Sequence, residues 1–384
     1  MSPEPDYNVD HPVTLLEKGI LQGRAVGVDV ATIRPHPRGG DTFLATADSH
    51  PDSATGPKLL LVKIVPDFDK SREPRNGRRE AKLLAKLAHP NIIPLLNAYL
   101  DPPSPTTLTA RITLFIPFHP YTLRQLLDFA DFVPKAGDSS FSDLSHSIAS
   151  QLLDAVAYLH DLQISHRDIS PSNIVLSEDG LPVLIDFGIA VQAGDEQAGQ
   201  QYFEVGTGPY RAPELVFASR AYEEQAIDLW ALGTTISEMF RPFSSPDPAS
   251  PASSDRSDSA DPFQHYSSVD RTVSPTRQSL FTSGSSDFVL AASIFRVIGT
   301  PTLGSWPEAN LLPNFTRFSF ASFPETSLAT HLPHLESTSP LLEILESMLV
   351  CSASKRLTAQ TAHDRIGRRP AAVDTTRFLE SILG

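Results

Sequence analysis

The triplet His166-Arg167-Asp168 is followed by Asn173, five residues beyond the aspartate, and then by Asp186-Phe187-Gly188 after an apolar, strand-like run at 183–185. Either triplet alone reads as an ordinary charged turn. Together, at this spacing, they supply what phosphoryl transfer needs, which is little covalent chemistry and much positioning and charge stabilisation. An aspartate can accept or orient a hydroxyl proton, while an amide oxygen and a second carboxylate can hold Mg²⁺, a hard cation that prefers oxygen ligands. Asp168 fits the first role, and Asn173 and Asp186 fit the metal role.

These side chains need a scaffold, and the surrounding pattern describes one. Residues 43–47 and 58–65 read as two strands of a hairpin, joined by a turn rich in Pro, Asp, Ser and Gly. Residues 80–87 carry Leu83, Leu84 and Leu87 at helical spacing and stop at His89-Pro90-Asn91. A short apolar run at 112–116 reads as a strand, and 123–129 and 148–160 read as helices. Strands come first and helices after. The expected fold is therefore α+β and two-lobed, with a small β-rich N-lobe to about residue 118, a larger α-helical C-lobe beyond it, and a ligand cleft between them. Residues 244–276 break the pattern: dense in Ser, Pro and Asp with few aliphatic side chains, they are expected to form a disordered insertion.

With 384 residues, 40% of them apolar, the chain can build a sizeable core. A net charge of −14 argues against nucleic acid or an anionic membrane as the main partner, since phosphates are held by basic surfaces. Cys351 is the only cysteine, so no internal disulfide can form, which fits a reducing, intracellular compartment, nucleus or cytoplasm. The start, Met-Ser-Pro-Glu-Pro-Asp, lacks the basic and apolar runs of a signal peptide. No stretch approaches the roughly 20 apolar residues of a membrane helix, so a soluble protein is expected.

The chain resembles a eukaryotic protein kinase. Beyond the two triplets it carries Ala212-Pro213-Glu214, preceded by Gly206-Thr207 and Tyr210-Arg211, and then Asp228-Leu229-Trp230-Ala231-Leu232-Gly233. The similarity covers residues 25–368, leaving 1–24 as an N-terminal extension and 369–384 as a C-terminal tail. It implies a protein kinase fold using ATP and Mg²⁺, with Asp168 catalytic and Asn173 and Asp186 as metal ligands. It makes Lys63, in Leu60-Leu61-Val62-Lys63, the lysine that reaches the ATP phosphates, and Glu80 its ion-pair partner. It further implies Ile116 at the back of the adenine pocket, Pro117 and His119 in the hinge, a Glu214–Arg356 pair, and Asp228 holding the backbone around His166. Residues 278–295, with Gly299-Thr300-Pro301-Thr302, Trp306-Pro307 and Leu312-Pro313, are similar to the cyclin-dependent kinases.

Several positions depart from that family. The glycine loop that covers the phosphates is best aligned with 34–43, where only Gly39 and Gly40 remain and Pro35 and Pro37 donate no N–H. A second register, Gly19, Gly23 and Gly27, leaves a long irregular connection before Lys63. Ser170 stands where Ser/Thr kinases have a lysine. Residues 74–80 keep only the Pro, Arg and Glu of the cyclin-binding helix motif, which argues against a cyclin partner and for a monomer. Between Gly188 and Thr207 there is no Ser or Thr, and Asp195, Glu196 or Glu204 is expected to give Arg167 a permanent anion. In these respects the chain is similar to the fungal monomeric kinases that phosphorylate cyclin-dependent kinases. The implied activity is that of a serine/threonine kinase acting on a protein substrate, the activation segment of another kinase. A pseudokinase scaffold is the alternative: Ser170 and the reduced glycine loop favour it, whereas the retained Lys63, Glu80, Asp168, Asn173 and Asp186 favour the enzyme.

Overall fold

A computed structural model describes residues 28–35, 42–47, 58–67, 73–101, 110–196, 199–244, 276–284 and 286–367. These fall into two compact units. The first holds the described residues up to Ala88 together with Ile93–Phe118; the second holds His89–Ile92 and the described residues from His119 onward.

The first unit is an antiparallel sheet of strands β1 (Val28–Pro35), β2 (Thr42–Ala47), β3 (Lys58–Pro66), β4 (Asn97–Asp101) and β5 (Arg111–Pro117), ordered β1-β2-β3-β5-β4. Alternation along β3 sorts its side chains between two faces. Leu60 and Val62 pack with Phe115 on one side. Val65 joins Ile112, Leu114 and Ala98 on the other, which helix α1 (Gly77–Leu84) covers through Ala81. The helix expected at 80–87 thus begins and ends earlier. Its start is set by Asn76, whose side chain accepts from Arg79 N, an N-cap that satisfies an otherwise orphaned donor. Lys86 and Leu87 instead form tight turns, their amides bonding Leu83 and Leu84 carbonyls.

The second unit is helical. After strand β6 (Tyr121–Thr122), helix α2 (Leu123–Asp128) opens with a capping box between Thr122 and Gln125. Helix α3 runs over Ser140–Asp161, eight residues longer at its start than the apolar pattern at 148–160 suggests. The extra turns bury Phe141 and Leu144 and also polar residues, with Ser145, His146 and Ser147 inside and His146 Nε2 3.0 Å from Ser339 Oγ. Strands β7 (Ile164–Ser165), β8 (Ile174–Leu176), β9 (Pro182–Leu184) and β10 (Val191–Gln192) form small ladders, β6-β8-β9 and β10-β7. They carry the chemistry-bearing turns. Leu184 N donates to Asn91 O at 2.9 Å, and Asn91 Nδ2 donates to Pro182 O at 2.8 Å, which draws His89–Ile92 into this unit.

Helix α4 (Pro213–Val216) precedes α5 (Glu224–Met239), which is buried along almost its whole length, as a central helix must be if its charged members are paired. Strands β11 (Phe243–Ser244) and β12 (Thr276–Arg277) pair antiparallel, which sets Ser244 beside Thr276. Of the insertion expected at 244–276, residues 245–275 lie outside the described residues, as do 1–27 and 368–384. Helices α6 (Asp287–Ile298), α7 (Pro340–Met348) and α8 (Ala359–Ile366) complete the unit. Among the described residues, no helix is long and apolar enough to cross a membrane.

Candidate active site

In the strand-rich unit, Lys63 lies opposite Leu114 on β5, on the sheet face that α1 covers. Its Nζ meets Glu80 Oε1 at 2.7 Å, and the Glu80 side chain is 4% exposed. A buried carboxylate needs such a partner. Two further contacts seat α1. Asp67 accepts from Arg78 Nε and Nη2 at 2.6 and 2.5 Å. Gly77 lies so close to the end of β3 that an added Cβ would fall 2.4 Å from Val65 Cγ2 and 2.9 Å from Pro66 O. Ile116 is buried in β5 opposite Leu61, and Pro117 ends that strand. Pairing of Pro35 with Phe43 leaves Gly39 and Gly40 in the β1–β2 connection, at 36–41, outside the described residues.

In the helical unit, the turn at His166-Arg167-Asp168 follows β7, and Arg167 takes φ +66°, costly for a residue with a Cβ. Asp228 on α5, fully buried, holds this turn: its carboxylate accepts from His166 N at 2.8 Å, Arg167 N at 2.7 Å and His160 Nε2 at 3.2 Å. His166 links the turn to the second triplet. Its Nδ1 accepts from Asp168 N, its Nε2 donates to Ile185 O at 2.9 Å, and its ring meets Phe187 edge-on at 4.7 Å. Asp186 also has positive φ, +62°, and its Oδ1 accepts from Gly188 N.

The Asp168 carboxylate is fixed from both sides. Thr207 Oγ1 donates to Oδ1 at 2.6 Å, and Asn173 Nδ2 donates to Oδ2 at 2.9 Å and to the Asp168 carbonyl at 2.8 Å. With its NH₂ so engaged, the Asn173 amide has its oxygen left for a cation, and the Asp186 carboxylate is the second hard donor; the two suit Mg²⁺. Among the described residues, no three His, Cys, Asp or Glu side chains form a metal site of their own. Magnesium seldom requires one, since it keeps water and substrate phosphate as ligands. Ser170 is 1% exposed, and its Oγ has no hydrogen-bond partner. His119 Nδ1 is likewise buried and unpartnered, and burial lowers the imidazole pKa despite an opposing pull from Glu178.

The segment after Gly188 is tied back at several points. Arg167 donates through Nε to Ile189 O at 2.8 Å and through Nη1 and Nη2 to both Glu196 carboxylate oxygens at 2.8 and 3.0 Å. Asp195 instead accepts from Gln192 N, and Glu204 is exposed. Deeper in the unit, Arg356 forks onto Glu214 at 2.6 and 2.7 Å. Sequence reading missed one buried network. Glu238 on α5 accepts from Arg124 Nη1 at 2.5 Å and from Tyr210 Oη at 2.7 Å. Arg124 and Glu238 stand 114 residues apart, and neither belongs to a motif.

A strand-rich unit with a buried Lys–Glu pair and a helical unit whose two acidic turns are stitched through one histidine are the two halves of a protein kinase. The protein kinase domain family matches residues 53–365, and the chain belongs to that family. Cyclin-dependent kinase 7 of Xenopus laevis is 30% identical over 288 residues, 75% of this chain and 66% of that protein. The chain thus spans about two thirds of that relative's length. A chain in the crystal structure of the yeast RNA Pol II CTD kinase CTDK-1 complex is similar in fold, with TM-score 0.64 at 22% identity over 89% of this chain and 94% of that one.

Proposed function

We infer that this chain is an ATP-dependent serine/threonine protein kinase of the cyclin-dependent-kinase-like group whose substrate is the activation segment of another kinase. The observation that carries this reading is the Asp168 carboxylate, held in one orientation by Asn173 and Thr207. Bound MgATP would supply the phosphoryl group and the cation's charge. Asp168 would orient the substrate hydroxyl and take its proton, Asn173 and Asp186 would hold the metal, and Lys63, steadied by Glu80, would bind the nucleotide phosphates. Ile116, Pro117 and His119 would border the adenine, with Gly39 and Gly40 over the phosphates. The reading extends to a monomer of the nucleus or cytoplasm that needs no cyclin, because Asp67, Val65 and Pro66 already seat α1 within its own unit. Ser170, buried at the position where Ser/Thr kinases have a lysine, favours a second reading, a scaffold that binds without transferring phosphate.

One assay separates the two. Purified full-length protein with MgATP and a panel of kinase activation-segment substrates should give phosphoserine or phosphothreonine. Asp168→Asn should lower the rate by roughly 100-fold or more, the usual worth of a positioned proton acceptor. Equal rates for the two proteins would discard the enzyme, and phosphotyrosine as the product would discard the specificity.

A further inference from the structure

The Arg167 guanidinium is 0% exposed; its bonds to Ile189 and Glu196 go to the segment that follows Gly188, and Tyr222 and Glu224 also face it. Ile189 O takes Nε, and the Glu196 carboxylate, 9% exposed, takes Nη1 and Nη2 as a two-pronged pair. Such forked, charge-assisted pairs are among the strongest polar contacts available to a protein. Burial would weaken the charge on Arg167, but the Glu196 hydrogen bonds and charge, aided by Tyr222 and Glu224, raise its pKa. Beyond Glu196 the segment is tied again. Gln201 Nε2 donates to Tyr222 O and to Glu224, Tyr222 Oη donates to Tyr202 O at 2.6 Å, and Thr207 then reaches Asp168.

A buried guanidinium without a counter-ion is strongly destabilising, so the Arg167 site must be filled by an anion. The sequence between Gly188 and Thr207 contains no Ser or Thr whose phosphorylation could deliver one, and Tyr202 is its only hydroxyl side chain. We propose that Glu196 is a positioning residue of the phosphotransfer site: its carboxylate permanently fills the anion position beside Arg167 and orders the segment from Ile189 to Thr207, so that Asp168 is set without phosphorylation of that segment. This rests on the kinase reading above. The rim acids Glu224 and Glu204 do not replace it: Glu224 is engaged by Gln201, and Glu204 is exposed.

The experiment uses full-length protein made in bacteria and shown by intact mass to carry no phosphate. Wild type should be active as purified, and Glu196→Gln should lose on the order of 100-fold in kcat/KM, the consequence of leaving a buried charge unpaired. The loss should fall on kcat, with the KM for ATP little changed, and Glu196→Asp should recover part of it. Amide hydrogen exchange read without substrate should show lost protection over 199–211 in Glu196→Gln. Unaltered rate and exchange in Glu196→Gln would overturn the proposal, as would a wild type that works only after an added kinase modifies Tyr202. If wild type transfers phosphate to nothing, the kinase reading falls, and the exchange comparison still decides whether Glu196 orders the segment.

Discussion

The two units fix their charged side chains by different means. In the strand-rich unit the decisive contacts are short in sequence: Lys63 and Glu80 are 17 residues apart, and Asp67 and Arg78 are 11 apart. Adjacent strands and the helix that follows bring them together, and α1 is seated by close backbone approach at Gly77 as much as by charge. The Arg78 side chain is 41% exposed, so solvent screens its forked pair with Asp67, and the pair adds less to seating α1 than the packing at Gly77 does. In the helical unit Asn173 meets Asp168 only five residues away, but most of the holding contacts are long. Thr207 meets Asp168 across 39 residues, Asp228 holds Arg167 across 61, and Arg356 meets Glu214 across 142. These are buried charges, whose loss leaves an unpaired ion in a dry interior. One unit is set by packing and local register, the other by tertiary electrostatics.

Substitutions can break that contrast. The largest effect on stability is expected in the helical unit. Glu214→Gln leaves Arg356 buried with half its partner, and urea denaturation should report a loss of about 3–5 kcal/mol. A loss below about 1 kcal/mol would mean that the long-range pairs are dispensable. In the strand-rich unit, Gly77→Ala should cost about 1–3 kcal/mol through overpacking against Val65 and Pro66. By pushing α1 away from β3 it should also raise the KM for ATP several-fold, a shift that an Arg78→Ala variant should not match, since an exposed pair is worth about 0–1 kcal/mol. If Arg78→Ala proves the more damaging, charge rather than packing seats α1. The smallest effect is expected at Ser170. Its hydroxyl is buried and unpaired, so Ser170→Ala should be neutral or slightly stabilising, within about 1 kcal/mol, and should leave transfer unchanged. A marked drop in rate would assign the hydroxyl a part in the reaction.

Much of this was legible in the chain itself. The two triplets, the Ala-Pro-Glu motif and the order of strands before helices identify the fold because they are local patterns at fixed spacing. Helix α2 is announced by its Thr122–Gln125 capping box. The start of α1 was signalled by Asn76 but hidden by Pro74, Arg75 and Gly77, which also read as a turn. The first two turns of α3 do carry an apolar period, Phe141, Leu144 and Ile148, but it is diluted by Ser145, His146 and Ser147, whose burial comes only from the parts of the unit that cover them. Strand β4, Asn97–Asp101, takes its form from pairing with β5 at the sheet edge rather than from its own composition.

The anion beside Arg167 divides the two kinds of knowledge most clearly. Sequence alone determined that the segment lacks a phosphorylatable Ser or Thr and that three acids, Asp195, Glu196 and Glu204, lie within it. It could not choose among them, because spacing along an irregular segment does not specify direction. The tertiary structure decided. Asp195 turns back to cap Gln192 N, Glu204 faces solvent, and Glu196 alone of the three forms both bonds to the buried guanidinium. The physical reason is burial: an ion removed from water tolerates only a partner whose oxygens meet its N–H groups directly, and that geometry exists only once α5, β7 and the segment have packed together.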